Sequence, residues 1–346
     1  MMILKRMRLA LLLWAVVLCF TEAAAQKRDS LSSFRASAER LHERVDSALT
    51  VRYYKSPFDS DYVIRPEGRL TVKLRANQSG NSFHVKGTVN DIHSKADLKT
   101  SNKTTFAVVG IYRGLGLGVA INPAKWKGLY KDYELNFNYY SSWLSIDGSY
   151  ARSSTLAGDI HRGDDLERLE SDNVSLKIVN IAAYYIFNHR KFSYSAAFTQ
   201  SYIQRCSAGS WLAGISYQGG CIKTSDELKA KNDNAPDIHV DIGHIGIGGG
   251  YGYNWVLGKK WLLHFSMVPT FVVYNRNKFT LNDELKRAHH MRFNMIFNER
   301  AAIVRNFSPR YFAGITLAMN NSIFDDNVVV VNQNKWRLRG FFGFRL

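Results

Sequence analysis

The last stretch of the chain, Lys335-Trp-Arg-Leu-Arg-Gly-Phe-Phe-Gly-Phe-Arg-Leu346, sorts its side chains onto two faces with a period of two. Trp336, Leu338, Gly340, Phe342, Phe344 and Leu346 share one face; Lys335, Arg337, Arg339 and Arg345 share the other, with Phe341 and Gly343 among them. Successive side chains of a β-strand point to opposite sides, so this is a strand with one apolar and one polar surface. In a water-soluble fold a second layer would cover the apolar side. Here many other segments repeat the pattern without helices to cover them. An antiparallel outer-membrane β-barrel resolves the difficulty, because its strands turn an apolar band to lipid and polar side chains to the lumen.

The N-terminus agrees with export. Lys5, Arg6 and Arg8 precede an apolar run from Leu9 to Phe20, and Ala23-Ala24-Ala25 offers a cleavage site ahead of Gln26, which reads as a signal peptide over residues 1–25. The run is shorter than the roughly 20 residues of a membrane-spanning helix. Cys19 lacks the small residue that a lipid-anchor site places just before its cysteine, so cleavage without lipidation is expected. A mean hydropathy of -0.23 also suits a barrel, in which only half of each strand must be apolar. Aromatic residues make up 13 %, enough for girdles at two interfaces.

The net charge of +17 becomes +15 when residues 1–25 leave. No helix-turn-helix, zinc-finger or RNA-binding signature appears, and an exported chain does not meet nucleic acid. Outer-membrane lipid, lipopolysaccharide and anionic solutes are the expected partners. The terminal strand also resembles the signal read by barrel-insertion machinery, although that signal ordinarily ends in Phe or Trp and this chain ends in Leu346. Cys206 and Cys221 would lie near opposite ends of one strand, about 50 Å apart at roughly 3.3 Å per residue, too far for a disulfide.

Along the chain, Leu31, Phe34, Ala38, Leu41, Val45 and Leu49 recur at helical spacing, predicting an amphipathic helix over Asp29–Thr50. Residues 26–66 are therefore helix and linker, and residues 67–346 the barrel. Strands are expected at Arg69–Asn77, Lys103–Tyr112, Leu115–Asn122, Lys131–Tyr140, Trp143–Arg152, Val174–Phe187, Phe192–Gln204, Trp211–Ile222, Val240–Leu257, Trp261–Tyr274, Met291–Asn306, Tyr311–Met319 and the terminus. This indicates roughly 12 strands, with 10 or 14 as alternatives. Gly246, Gly248, Gly250 and Gly252 fall on one strand face with no helix after them, so they make room or let the strand bend and do not form a nucleotide loop.

Short and long connections alternate over the last six strands, as in outer-membrane barrels. The alternation fails further back. There Asn188–Arg190 would be a very short external loop and Ser154–Asp172 a long periplasmic one.

The inward positions lean basic. Lys73, Arg75, Arg292, Arg300, Arg337, Arg339 and Arg345, with His244 and His264, face fewer acids such as Glu134 and Asp147, and all are expected to line the lumen. These cations either pair with carboxylates and water to plug a narrow barrel or line an anion-preferring conduit. A rim hydrolase would need an Asp/His set, for which His289-His290, Asp325-Asp326 and His161 with Asp164 and Asp165 are the candidates. None has a spacing that demands shared geometry, and no His/Cys set has metal-ligand spacing, so no enzyme, cofactor or metal is expected. An exported soluble β-protein is the other alternative, with the apolar faces meeting in a sandwich.

Tyr184-Tyr-Ile-Phe-Asn188, Phe192-Ser-Tyr194, Ala196-Ala-Phe198, Ser207-Ala-Gly-Ser210, Gly250-Tyr-Gly-Tyr-Asn-Trp255, Trp261-Leu-Leu263, Tyr311-Phe-Ala-Gly314 and Phe342-Gly-Phe-Arg345 occur in the order of a known family. Over about Tyr62–Leu346 the chain resembles the Bacteroidetes domain-of-unknown-function family numbered 4421. The resemblance implies an exported outer-membrane barrel with no assigned activity and carries over no catalytic residue; the barrel itself is expected to be monomeric. Arg205-Cys206 departs from the family pattern, so no family role is implied for Cys206.

Overall fold

The computed structural model describes Ser47 and residues 57–346, apart from positions 67, 69, 90–91, 113–114, 127, 129–131, 232–237, 259, 282–283, 287–293 and 326–328. It divides into residues 1–55 and 56–346. The expected signal peptide and, Ser47 aside, the amphipathic helix lie outside the described residues. No described helix is long and apolar enough to cross a membrane.

The second unit is a curled antiparallel sheet. Its strands are β1 (Val63–Ile64), β2 (Leu70–Val89), β3 (Ile92–Lys99), β4 (Lys103–Tyr112), β5 (Leu115–Ile121), β6 (Tyr133–Tyr140), β7 (Leu144–Ser153), β8 (Ala157–Arg162), β9 (Asp165–Leu169) and β10 (Val174–Ile186). They continue with β11 (Ile203–Gln204), β12 (Ala208–Thr224), β13 (Ile238–Leu257), β14 (Trp261–Asn275), β15 (Lys278–Leu281), β16 (Glu284–Lys286), β17 (Met295–Asn306), β18 (Tyr311–Asp325) and β19 (Val329–Arg345). Short helices α1 (Pro123–Trp126), α2 (Tyr194–Phe198) and α3 (Asp226–Lys231) interrupt them.

The ladders return to their start. From β10 they pass through β12, β13, β14, β17, β18 and β19 to β2. From β2 they pass through β3 and β8, and β7 pairs back onto β10. The last strand closes on the first long one over its whole length, from Val329 opposite Gly87 to Arg345 opposite Thr71. We call the end carrying Leu70 and Leu346 the lower end.

The long wall strands keep the two-face rule. Along β10, Leu176, Ile178, Ala182, Tyr184 and Ile186 are buried, whereas Lys177, Ile181 and Tyr185 are exposed. The outside is apolar. Trp211 is 68 % exposed, Leu135 58 % and Trp255 56 %, and Phe265, Ile315 and Phe342 continue the band. Near the lower end Trp143, Tyr185, Phe187, Trp255, Trp261 and Tyr311 are also exposed on this surface. Apolar surface of this extent is not left in water, and a band with aromatic edges is the lipid-facing surface of an outer-membrane barrel. The apolar faces therefore point outward instead of meeting in a sandwich.

One expected strand is absent. Phe192–Gln204 forms a turn, α2 and the two-residue β11, and it is tucked inside the sheet with Phe192, Tyr194, Ala197 and Gln200 almost fully buried. Its alternation is too weak to hold a strand, and Ser193 caps α2 by accepting from the Ala196 amide. Removing this strand restores the up-and-down order of the strands but leaves one long lower connection. Residues 187–207 become a lower-end connection, and the Ser154–Asp172 region becomes the upper hairpin β8–β9. The upper strands also run further than the sequence pattern indicates, with β2 reaching Val89 and β18 reaching Asp325. Among the described residues twelve passes result: β2, β3–β4, β5, β6, β7–β8, β9–β10, β12, β13, β14, β17, β18 and β19.

Between β4 and β7 the wall forks. Above, β3 pairs directly with β8; below, β4 pairs with β5 and β7 with β6. Asp132 sits at the branch and is 2 % exposed. It accepts from the Ser154 amide at 2.8 Å, from the Thr155 hydroxyl at 2.9 Å and from the Ser153 hydroxyl, and it faces Lys103 Nζ at 3.5 Å. Asp132→Ala removes the carboxylate that faces the buried Lys103 ammonium, so a loss of about 3–5 kcal/mol is expected. Denaturant unfolding in detergent measures it. Asp132→Asn should cost less, because its amide oxygen still accepts from the hydroxyls.

Candidate functional site

The interior of the sheet holds the charged chemistry. Its floor is the 187–207 segment. Lys73 Nζ donates to Thr199 O at 2.9 Å and to Gln200 Oε1 at 2.8 Å, which ties the segment to β2. Asn254 on β13 donates to Ser193 O at 3.0 Å and to Gln204 Oε1 at 2.9 Å. Tyr194 donates to Ser266 on β14 at 2.8 Å. Phe192, Tyr194 and Phe198 surround His264, with ring centroids 5.8, 5.0 and 5.0 Å from the imidazole. Each such ring buries about 150–250 Å², so the floor is a packed core in its own right. From below, Val63 and Ile64 pair with Gln204 and Ile203.

Charges occupy the middle. Arg300 Nη2 on β17 meets Asp147 Oδ2 on β7 at 2.9 Å, and Asp147 also accepts from Tyr140 at 2.6 Å and from Asn138. Glu134 on β6 accepts from Ser79 at 2.8 Å and faces Lys335 at 3.6 Å and Arg337 at 3.5 Å. Lys335 donates to Ser149 at 2.7 Å, and Arg339 Nε donates to Asn77 at 2.9 Å. At the lower end Arg345 donates to Pro309 O at 3.0 Å and to Asn306 at 3.2 Å. The guanidinium of Arg345 lies 4.4 Å from the Phe312 ring centroid. Among the described inward groups, Lys73, Arg75, Lys103, Arg300, Lys335, Arg337, Arg339 and Arg345 outnumber Asp132, Glu134 and Asp147. The carboxylates do not balance the cations.

Space in this region is small. The cavity between Asn138, Asp147, Asn180, Ser216, Asn298 and Arg300 has about 20 Å³, room for little more than one water molecule. Asn298 Nδ2 donates to Ser216 at 2.8 Å and Asn320 Nδ2 donates to Asn298 at 2.6 Å, so amides cross the interior as well as ions.

Residues 57–346 match the family described as Domain of unknown function (DUF4421). The chain belongs to this family. No curated protein matches it. Solved structures similar to the DUF4421 chain include the outer membrane protease OmpT from Escherichia coli, at 8 % identity and TM-score 0.44, covering 84 % of this chain and 100 % of that one. The outer membrane protein OprG from Pseudomonas aeruginosa is similar at 10 % identity and TM-score 0.27, with 81 % and 96 % covered. The COG4313 outer membrane channel from Pseudomonas putida F1 is similar at 9 % identity and TM-score 0.28, with 83 % and 98 % covered.

Within the DUF4421 domain, Lys73, Arg75, Glu134, Asp147, Arg300, Arg337, Arg339 and Arg345 lie on the inward faces of their strands. His264 belongs to the floor, and His244 stacks on Phe324 near the upper end with ring centroids 3.9 Å apart. Arg292, His289, His290 and Asp326 fall outside the described residues. His161, Asp164 and Asp165 are exposed at the β8–β9 turn. Asp325 ends β18 and donates its backbone amide to Asn294. Sequence reasoning missed Asp132, Lys103, Asn77, Ser149, Gln200 and Asn254 as parts of the network. All but Asp132 and Gln200 stand on strand faces that period-two counting already assigns inward. The two exceptions lie in connections, where no periodicity exists.

Glu299 faces outward, among apolar neighbours. Its carboxylate accepts from Asn321 Nδ2 at 2.7 Å on β18. This cross-strand bond gives the outward acid a polar partner.

Proposed function

We propose that this DUF4421 protein is an outer-membrane barrel that serves as a closed envelope component with a basic, anion-receiving interior, and not as an open pore or an enzyme. The lower end then faces the periplasm. The observation that carries this reading is the floor. Residues 192–204 lie inside the sheet with buried aromatics and are hydrogen-bonded to β2, β13 and β14, which supports a blocked lumen. Above the floor the excess of buried cations favours anions, because an uncompensated buried charge is costly.

Heat-modifiability tests the barrel: unboiled mature protein from outer-membrane fractions should migrate faster than boiled protein. Planar-bilayer recording tests the closure. The wild-type chain is expected to show no steady conductance, and a Tyr194→Ala/Phe198→Ala variant that keeps the heat shift is expected to open. Its current should prefer anions, and neutralising Arg75, Arg337 and Arg339 should remove that preference. A large ohmic conductance in the wild-type chain would overturn the closed reading. Two described Asp/His pairs are in contact, His84 with Asp97 and His239 with Asp241, and both stand on the outward side of the wall, apart from the exposed His161, Asp164 and Asp165 turn.

A further inference from the structure

On the outward surface, well away from the charged interior, Cys221 of β12 stands directly opposite Asp241 of β13. His239 lies two residues from Asp241 on the same strand and therefore on the same face. The sulfur of Cys221, a ring nitrogen of His239 and a carboxylate oxygen of Asp241 all lie within 4.8 Å of one another. His239 Nε2 is 3.1 Å from Asp241 Oδ2. All three side chains are partly buried, near the upper end of the wall.

We propose that Cys221, His239 and Asp241 form a binding site for a divalent transition metal of the zinc class, with water in the fourth position. The donor set decides the class. Calcium and magnesium take oxygen ligands, whereas one thiolate, one imidazole and one carboxylate suit zinc. The dimensions agree. Two zinc bonds of about 2.0 Å in a tetrahedron set their ligand atoms about 3.3 Å apart, close to the observed imidazole–carboxylate separation. The scaffold is also rigid, because all three residues belong to one continuous ladder whose register is unbroken from Ala208 to Lys223.

Charge sets the affinity. A thiolate and a carboxylate neutralise a divalent ion, and metal binding itself drives the thiol proton off. Lys177 opposite Cys221, Lys223 opposite His239 and Lys278 opposite Asp241 oppose the ion. Their flexible stems let the ammonium groups swing towards water, so they weaken the site without blocking it. With three protein ligands the fourth position remains exchangeable. The sequence does not announce this site because its spacing runs across two strands, not along one.

The test is a cobalt(II) titration of the untagged, reduced, full mature chain folded in detergent. One equivalent should bind with thiolate-to-cobalt charge-transfer absorption and the strong visible bands of tetrahedral cobalt, and zinc should displace it. Cys221→Ser should abolish the charge-transfer band, and His239→Ala should weaken the visible bands. Cys206→Ser should change neither, since that thiol lies beyond the opposite end of β12. Each variant is first checked for the heat shift of the folded barrel. Folded wild-type protein with no charge-transfer band, or a band that survives Cys221→Ser, would overturn the proposal.

Discussion

Arg300→Ala is expected to destabilise the folded barrel by about 3–5 kcal/mol, the usual consequence of removing one partner from a buried ion pair. Arg300 and Asp147 are 2.9 Å apart, with side chains only 6 % and 8 % exposed. Without the guanidinium, Asp147 keeps Tyr140 and Asn138 as donors but loses its counter-charge. Both neighbours are neutral. The measurement is urea unfolding of the detergent-folded barrel, followed by the loss of the fast-migrating band. A double variant, Arg300→Met with Asp147→Leu, should recover most of the loss, because a buried pair is often replaceable by packed apolar groups. If Arg300→Ala stays within about 1 kcal/mol of wild type, water reaches the pair and the interior is wetter than its burial indicates.

Gly250→Ala should disturb the wall where β13 meets β14. A Cβ at Gly250 would stand 1.9 Å from Met267 O and 2.8 Å from the Val268 Cα. At Gly248 it would stand 2.1 Å from Pro269 O. Both obstacles are backbone, which cannot swing aside as a side chain can. Relief requires the strands to part, so each substitution should cost at least the roughly 1–3 kcal/mol of overpacking, and the Gly248→Ala/Gly250→Ala double variant should lose the heat shift. Gly340→Ala is the control. Nothing lies within 4 Å of its Cβ, and a change within about 0.5 kcal/mol is expected there.

Period-two patterning made the wall legible, because β19 separates Lys335, Arg337, Arg339 and Arg345 from Trp336, Leu338 and Phe342, with only Phe341 and Gly343 breaking the polar face. The same counting went astray at Phe192–Gln204. There the apolar side chains are spaced for packing inside the barrel, and only the partners supplied by β2, β13 and β14 decide that the segment folds inward. The upper extensions β3, β8 and β9 were hidden for a different reason. Beyond the lipid band neither face has to be apolar, so alternation fades while the ladder continues. The Asp132 fork and the Cys221, His239 and Asp241 group depend on which strands become neighbours, and a linear reading does not contain that information.

The long ladder between β2 and β19 ties the beginning of the wall to its end. A chain halted anywhere before Val329 leaves β2 and β18 with bare amides and carbonyls along one side, a state that a lipid bilayer does not tolerate. The seam therefore acts as a completeness check. Only a polypeptide that includes its last strand can bury its own edges, and a shorter product keeps a bare sheet edge.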